Sequence, residues 1–261
     1  MALRLGLAQS KHPDDRDVVA LVDAFAERAV FEGVNLLAFP ESLMSRYEQE
    51  AARFTAESQP VDGPFGEAVS EIAARRGLWI VYTMNEANPD HLPFNTAVVV
   101  DDRGARRGVY RKVHLFDAQG YSESERMSAG DELFEPIETP FGKLGLGICY
   151  DLRFPELARR AALSGCDLLV YPSAWVAGNG KVRQWETLLA ARAIENGIFV
   201  AGCCRADDGY VGHSCVFGPD GTLVAEGGED EELLVANVDL EEINRVRTAT
   251  PSLLHRRPDL Y

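Results

Sequence analysis

An internal repeat constrains the fold of this chain more than any other feature. Residues 26–41 read AERAVFEGVNLLAFPE and residues 158–173 read ARRAALSGCDLLVYPS, identical at seven of sixteen positions without a gap. Upstream, RLGLAQS (4–10) is echoed by KLGLGIC (143–149). In each copy an apolar run leads into a helical pattern, a glycine stops that pattern, and a second apolar run ends at a proline. A strand–helix–strand unit has apolar faces that it cannot cover by itself. Two such units in one chain imply shared layers, with helices laid over sheets.

The order of elements supports this. Leu3 to Gln9 reads as a buried strand, and Asp14 or Asp15 as the cap of the helix that follows. Val18, Val22, Phe25 and Ala29 recur at helical spacing and Gly33 ends the run. Asn35 to Phe39 is a strand, and Pro64 opens a helix that Gly77 stops. Leu78 to Thr83 is a strand, and Thr96 to Tyr110 a hairpin turning at Asp101–Gly104. The second half follows the same plan: strand 144–148, helix 155–164, strand 167–171, helix 185–196, strand 198–202, then strands 214–217 and 223–226 about the turn Gly218-Pro-Asp-Gly221. No linker rich in Pro, Gly or Ser divides the halves, so residues 1–261 are read as a single domain.

The halves differ where chemistry would sit. Glu41 stands where the other copy has Ser173, and Cys149 where the other has Ser10. Each half ends a core strand in a reactive residue that its counterpart replaces by serine, as one site at the junction of two halves would require. By itself Cys149 also fits an inert core thiol, since free cysteine is among the most buried residue types. Its place at a strand end, with Pro155 opening a helix, instead suits a reactive thiolate. Glu41 by itself fits a loop carboxylate, and Lys112, in Tyr110-Arg-Lys-Val-His-Leu-Phe116, a solvated lysine. Together, a thiol, a carboxylate and an ammonium provide a nucleophile, a base and an oxyanion donor without histidine.

These segments resemble a known family. Phe39-Pro-Glu41, Tyr110-Arg-Lys-Val-His114 and Gly147-Ile-Cys-Tyr-Asp-Leu-Arg-Phe-Pro-Glu156 are similar to the three signature motifs of the nitrilase superfamily of carbon–nitrogen hydrolases, in the same order. The resemblance covers nearly the whole chain and implies an α/β fold, a four-layer α-β-β-α sandwich. It implies Cys149 as nucleophile, Glu41 as general base and Lys112 as oxyanion stabiliser, with the Tyr150 N–H completing the oxyanion hole. It implies a second glutamate between lysine and cysteine, for which Glu123 is the choice and Glu125 the competitor. No metal or organic cofactor is required. The resemblance also implies a homodimer or higher homo-oligomer, with the tail (about 247–261) in the subunit interface.

Within the family the likeness is to omega-amidases and deaminated-glutathione amidases, carried by Val113-His-Leu-Phe-Asp117 and Arg257-Pro-Asp-Leu-Tyr261. Arg153 is a candidate for a substrate carboxylate, or else pairs with Glu156 or Asp151. Tyr47, Tyr150 and Trp175 are candidate pocket walls. Trp175, in Ser173-Ala-Trp-Val-Ala-Gly-Asn179, departs from those branches and favours short aliphatic amides, so the reading is an amidase releasing acid and ammonia. The alternatives are dicarboxylic monoamides or deaminated glutathione as substrate, and a catalytically silent binding protein.

Composition argues against large anionic partners and leaves the small amide substrate that the resemblance implies. A formal net charge of -15 argues against nucleic acid and anionic membranes. No run is apolar enough to span a bilayer and the start lacks a signal-peptide core. Five cysteines without metal-site spacing suit a reduced, cytoplasmic setting. A Gly-x-Gly-x-x-Gly turn after the first strand is missing, which sets aside dinucleotide binding.

Overall fold

The computed structural model describes residues 3–12, 17–45 and 51–260. The first half runs β1 (Leu3–Gln9), α1 (Val18–Phe31), β2 (Leu36–Ala38), α2 (Ala51–Glu57), α3 (Pro64–Arg76), β3 (Trp79–Glu86), β4 (Phe94–Val100) and β5 (Arg106–Arg111). A small ribbon, β6 (Asp117–Ala118) with β7 (Tyr121–Ser122), follows. The second half runs β8 (Ile137–Thr139), β9 (Gly142–Leu146), α4 (Pro155–Leu163), β10 (Leu168–Ser173), α5 (Lys181–Asn196), β11 (Phe199–Cys204), β12 (Cys215–Phe217) and β13 (Leu223–Glu226). The chain then adds β14 (Glu232–Val238) and α6 (Glu241–Ala249).

The repeat seen in the letters is also a repeat of register. One six-stranded sheet has the order β14-β1-β2-β3-β4-β5, and the other, read from the opposite end, β8-β9-β10-β11-β12-β13. Leu5 pairs with Leu36 and Leu36 with Trp79, all parallel. At the matching places Leu144 pairs with Leu168 and Leu168 with Phe199, also parallel. Each half then reverses direction, β3 to β4 and β11 to β12. The helix ends match too. Gly77 and Gly197 close α3 and α5 in the left-handed region, at φ 63 and 56, where a side chain would be strained.

Strand alternation makes the layers. Leu5, Leu7, Leu36, Ala38, Val81 and Val99 share a core with Leu146, Ile148, Val170 and Cys203 of the other sheet. Their chain neighbours Ala8, Leu37, Phe39, Ile80 and Val98 face the other way, onto Val22, Phe25 and Ala29 of α1 and Val69, Ile72 and Ala73 of α3. Leu157, Ala158 and Ala161 of α4, and Trp185 and Leu189 of α5, join the core of the second sheet. The result is the α-β-β-α sandwich. Phe25 and Phe39, which meet edge to face at 6.0 Å, show how the outer seams are held. Burying a side chain of this size is worth roughly 1.5–3 kcal/mol.

Three readings need adjusting. Asp14 and Asp15 lie outside the described residues, and Asp17 caps α1, its Oδ1 accepting from the Val19 N–H at 2.8 Å. Helix α5 starts at Lys181, four residues before the predicted start, because Gly180 adopts the left-handed conformation there and its carbonyl accepts from Gln184 N. Strand β14 and helix α6 were not foreseen; both are half-exposed and lack a clean apolar period. Among the described residues no helix is long and apolar enough to cross a membrane. All five cysteines are free and buried.

Candidate active site

Four side chains from four segments converge between the sheets. Glu41 follows β2 in a turn braced by Thr83, whose hydroxyl donates to the Pro40 carbonyl at 2.9 Å and accepts from the Leu43 N–H at 3.2 Å. Lys112 follows β5, held by backbone bonds from its own N–H to the Asn95 carbonyl and from the Gly130 N–H to its carbonyl. Glu123 opens a short 3-10 turn beyond the β6–β7 ribbon, and its Oε2 accepts from the Phe116 N–H at 2.7 Å. Cys149 ends the run from β9 and opens the 3-10 turn Cys149–Arg153, with φ 44. A non-glycine residue in that region is strained and must be held by its surroundings.

Asp151 is one such restraint. Its buried carboxylate accepts from the Ile148 N–H at 2.8 Å and the Tyr110 hydroxyl at 2.8 Å, and meets His114 Nδ1 at 2.7 Å. The His114 ring stacks on Phe154 with centroids 3.6 Å apart. From α5, the Arg192 guanidinium donates twice to the Leu152 carbonyl, at 2.8 and 3.1 Å. The turn carrying the thiol is therefore tied to β5, to the segment after it and to α5.

Lys112 Nζ donates to Glu41 Oε1 at 2.9 Å and to both Glu123 oxygens at 3.0 and 2.8 Å. The Asn95 amide donates to the same two carboxylates, at 2.8 Å to Glu41 and 3.2 Å to Glu123. The Ala174 N–H donates to Glu41 Oε2 at 2.9 Å. Lys112, Glu41 and Glu123 are all sealed from solvent, each 0–1% exposed. Burial alone would discharge the ammonium, but Glu123 and Glu41 overcome it and hold Lys112 well above the usual lysine range. Burial pushes the Cys149 thiol well above its ordinary value; Glu41 adds to this and Lys112 opposes it. A helix start was expected to favour a thiolate, but here burial dominates. The Glu41 carboxylate lies within hydrogen-bonding reach of the sulfur.

A narrow cleft with about 20 Å³ of open space borders Cys149, lined by Phe116, Tyr150, Arg153, Trp175 and Lys181 among others. The structure thus brings Glu41, Lys112, Glu123 and Cys149 into one cluster and puts Tyr150, Arg153 and Trp175 on the adjoining cleft. Glu125 is exposed at the surface. Tyr47 lies outside the described residues. Arg153 pairs with neither Glu156 nor Asp151, since Asp151 is already committed to Tyr110, His114 and Ile148. Its guanidinium instead donates to Gln184 Oε1 at 3.0 Å and lies over the Trp175 ring at 4.7 Å. The cluster is not a metal-ligand set, because Lys112 occupies the position between the carboxylates. Glu186, His213 and Glu226 offer ligating atoms within 4.8 Å of one another, but they do not line this cleft.

Residues 4–248 match the family model for carbon-nitrogen hydrolases. The chain belongs to the carbon-nitrogen hydrolase family. This hydrolase is 34% identical over 256 residues to omega-amidase NIT2 of Homo sapiens, covering 94% of the chain and 91% of that protein. Against the carbon-nitrogen hydrolase from Helicobacter pylori G27 the TM-score is 0.90 at 32% identity, over 100% of this chain and 97% of that one. Against an amidase from Nesterenkonia sp. it is 0.82 at 27% identity, over 99% and 94%. The fold is that of the nitrilase superfamily.

Sequence reasoning missed Asn95, Asp151 and Lys181. Asn95 carried a signal: asparagine is disfavoured in strands, yet it stands at the head of a β-rich run. Asp151 was weighed only as a partner for Arg153. Lys181 lies between the strand 167–171 and the helix 185–196 read from the sequence, where no element was assigned.

Proposed function

We propose that this hydrolase cleaves the C–N bond of small carboxamides through a thioester on Cys149, and that its preferred amides carry a carboxylate at the far end. The observation that carries the reaction is the buried Glu41–Lys112–Glu123 cluster beside Cys149, whose backbone is held at positive φ. The thiol must lose its proton as it attacks, and the Glu41 carboxylate is the acceptor within reach. Sulfur bonds to the amide carbon, and the carbonyl oxygen becomes an oxyanion against Lys112 Nζ and the Tyr150 N–H. Glu41, now protonated, gives that proton to the leaving nitrogen. The C–N bond breaks, ammonia departs, and a thioester remains. Water then yields a proton to Glu41 and attacks the thioester; the acid leaves and Cys149 regains its proton. Glu123 and Asn95 act behind this, holding the ammonium and the base in position.

The substrate class rests on the cleft. Its walls include the apolar faces of Phe116, Tyr150 and Trp175, which suit a short aliphatic chain. Arg153 stands in the same cleft as Cys149 with only a neutral amide oxygen as its hydrogen-bond partner among the described residues. A guanidinium in that position favours a carboxylate, which tips the reading from plain aliphatic amides to monoamides of dicarboxylic acids. The omega-amidase relatives lend this support. A mutant of the Nesterenkonia amidase shows Michael addition of acrylamide at the active site cysteine, which supports a small amide reaching a cysteine in this fold.

The test is a panel of amides, ureido acids and nitriles of matched length, with ammonia and carboxylic acid both measured. The proposal expects stoichiometric ammonia and acid from amides, with succinamate or glutaramate preferred over butanamide or pentanamide. Turnover by Cys149→Ala, or equal rates with charged and neutral amides, overturns the corresponding half of it.

A further inference from the structure

We infer that Lys181 is a second cation of the carboxylate subsite and determines how strongly this hydrolase selects anionic over neutral amides. The inference rests on the carboxylate reading above and deepens it. Lys181 is the first residue of α5, directly after Gly180 at φ 72. Its own carbonyl accepts from the Trp175 indole N–H at 3.2 Å, so the backbone at this point is fastened to a wall of the cleft. Its side chain lines the cleft together with Cys149 and Arg153.

The electrostatics place the ammonium among the same groups. Burial lowers the proton affinity of Lys181, the Arg153 charge lowers it further, and Cys149 is close enough to act in the opposite direction. The helix start behind Lys181 adds positive potential, because the first turn of α5 holds no acidic residue and Gly180 offers no side-chain cap. Two like charges therefore sit in a cleft walled by aromatic rings, in a chain that carries 41 acidic residues and a net charge of -15. Among the described residues neither cation is paired with a carboxylate. Other cations of the chain are paired: Arg76 meets Asp23 and Glu27, Arg107 meets Asp101, and Arg111 meets Glu86. Mutual repulsion between Arg153 and Lys181 is relieved by an anion placed between them. A carboxylate has acceptor sites enough for a guanidinium and an ammonium at once. A neutral amide tail leaves both cations unanswered and forfeits that relief.

The experiment compares kcat/KM for glutaramate and pentanamide, equal in length and differing only in the terminal carboxylate, on the full-length protein. Lys181→Met is expected to lower the charged-to-neutral ratio roughly tenfold or more, the scale of one charge-assisted hydrogen bond, chiefly through KM. Lys181→Arg should bring the ratio back to within a few-fold of the parent, and Lys181→Glu should drive it below that of Lys181→Met. A purely structural role for Lys181 would move both substrates together and leave the ratio where it was. An unchanged ratio in Lys181→Met and Lys181→Glu, with Arg153→Met abolishing the preference, overturns this inference and leaves the carboxylate reading standing on Arg153. If the parent enzyme itself shows no preference, the carboxylate reading and this inference fall together. Binding of glutarate to the Cys149→Ala protein by calorimetry gives a second readout. It should weaken by a similar factor on adding Lys181→Met, and equal affinity counts against the inference.

Discussion

Replacing Lys112 with methionine tests the charge balance on which the site depends. The ammonium lies 2.9 Å from Glu41 and 2.8 Å from Glu123, and all three side chains are sealed. Methionine keeps the length and removes the charge, so the cluster goes from one net negative charge to two. Breaking a buried pair by deleting one partner costs roughly 3–5 kcal/mol. At about 2–4 °C per kcal/mol for a chain of this size, Tm should fall by roughly 6–20 °C. The two stranded carboxylates relieve their repulsion by sharing a proton. The folded variant then keeps a proton that the unfolded chain surrenders above about pH 4.3. Its stability therefore falls as pH rises, by up to about 1.4 kcal/mol per unit. The parent should lack this slope. Its Lys112, held up by Glu123 and Glu41 against burial, contributes stability that is present below about pH 10.4 and is lost only as pH rises through the folded value. Under the proposed roles activity suffers twice, because an oxyanion donor worth about 2.7–4 kcal/mol is gone and the base shares a proton. A kcat loss of at least about 10²-fold is expected with little change in KM. Urea unfolding near pH 5 and pH 8, with kcat on glutaramate, measures both. Stability at pH 8 within about 1 kcal/mol of the parent, together with kcat within about tenfold, would refute the reasoning.

Three further outcomes follow from the geometry. Glu123→Gln keeps the shape but replaces one acceptor oxygen by a donor, so Lys112 loses one of its two Glu123 contacts and either the Asn95 amide or the Phe116 N–H loses its acceptor; kcat should drop by roughly 10–100-fold, and parental kcat would remove Glu123 from the machinery. The KM for glutaramate should rise in alkaline solution at a pH below the usual lysine range, because burial and Arg153 lower Lys181 while Cys149 opposes them, and the KM for pentanamide should not follow; parallel profiles for the two amides would contradict this. Gly66→Ala places a Cβ 2.0 Å from the Val61 carbonyl oxygen, which is backbone and cannot swing away, so the first turn of α3 must shift at a cost of about 1–3 kcal/mol; an unaltered Tm would show that the turn yields.

Much of the sandwich was legible because both halves obey the same local rules. Leu36-Leu37-Ala38 and Leu168-Leu169-Val170 announce parallel strands, and Gly33, Gly77 and Gly197 mark helix ends through their positive φ. Comparing Glu41 with Ser173 and Cys149 with Ser10 pointed to a site drawn from both halves, and those two residues do meet. What stayed hidden depends on neighbours remote in the chain. Asn95 matters because Glu41 and Glu123, 54 and 28 residues away, turn toward its amide. Lys181 drew no notice because what sets it apart is the cleft it shares with Arg153 and Cys149, which no local pattern encodes. Strand β14 was missed for a similar reason: its partner, β1, lies at the other end of the chain.

That pairing has a consequence for the order in which the protein can assemble during synthesis. The second sheet is built from one uninterrupted stretch, because β8 comes directly before β9 and pairs with it at once. The first sheet takes the matching strand from β14, so one edge of β1 stays open until Val238 has been made. The half that is translated first is thus the last to close, and for most of its synthesis it offers a bare strand edge. A chain ending at Glu226, once free of the ribosome, should hold every strand of the second sheet and lack one strand of the first. The residues that follow do not append a tail to a finished molecule; they complete the part that was begun first.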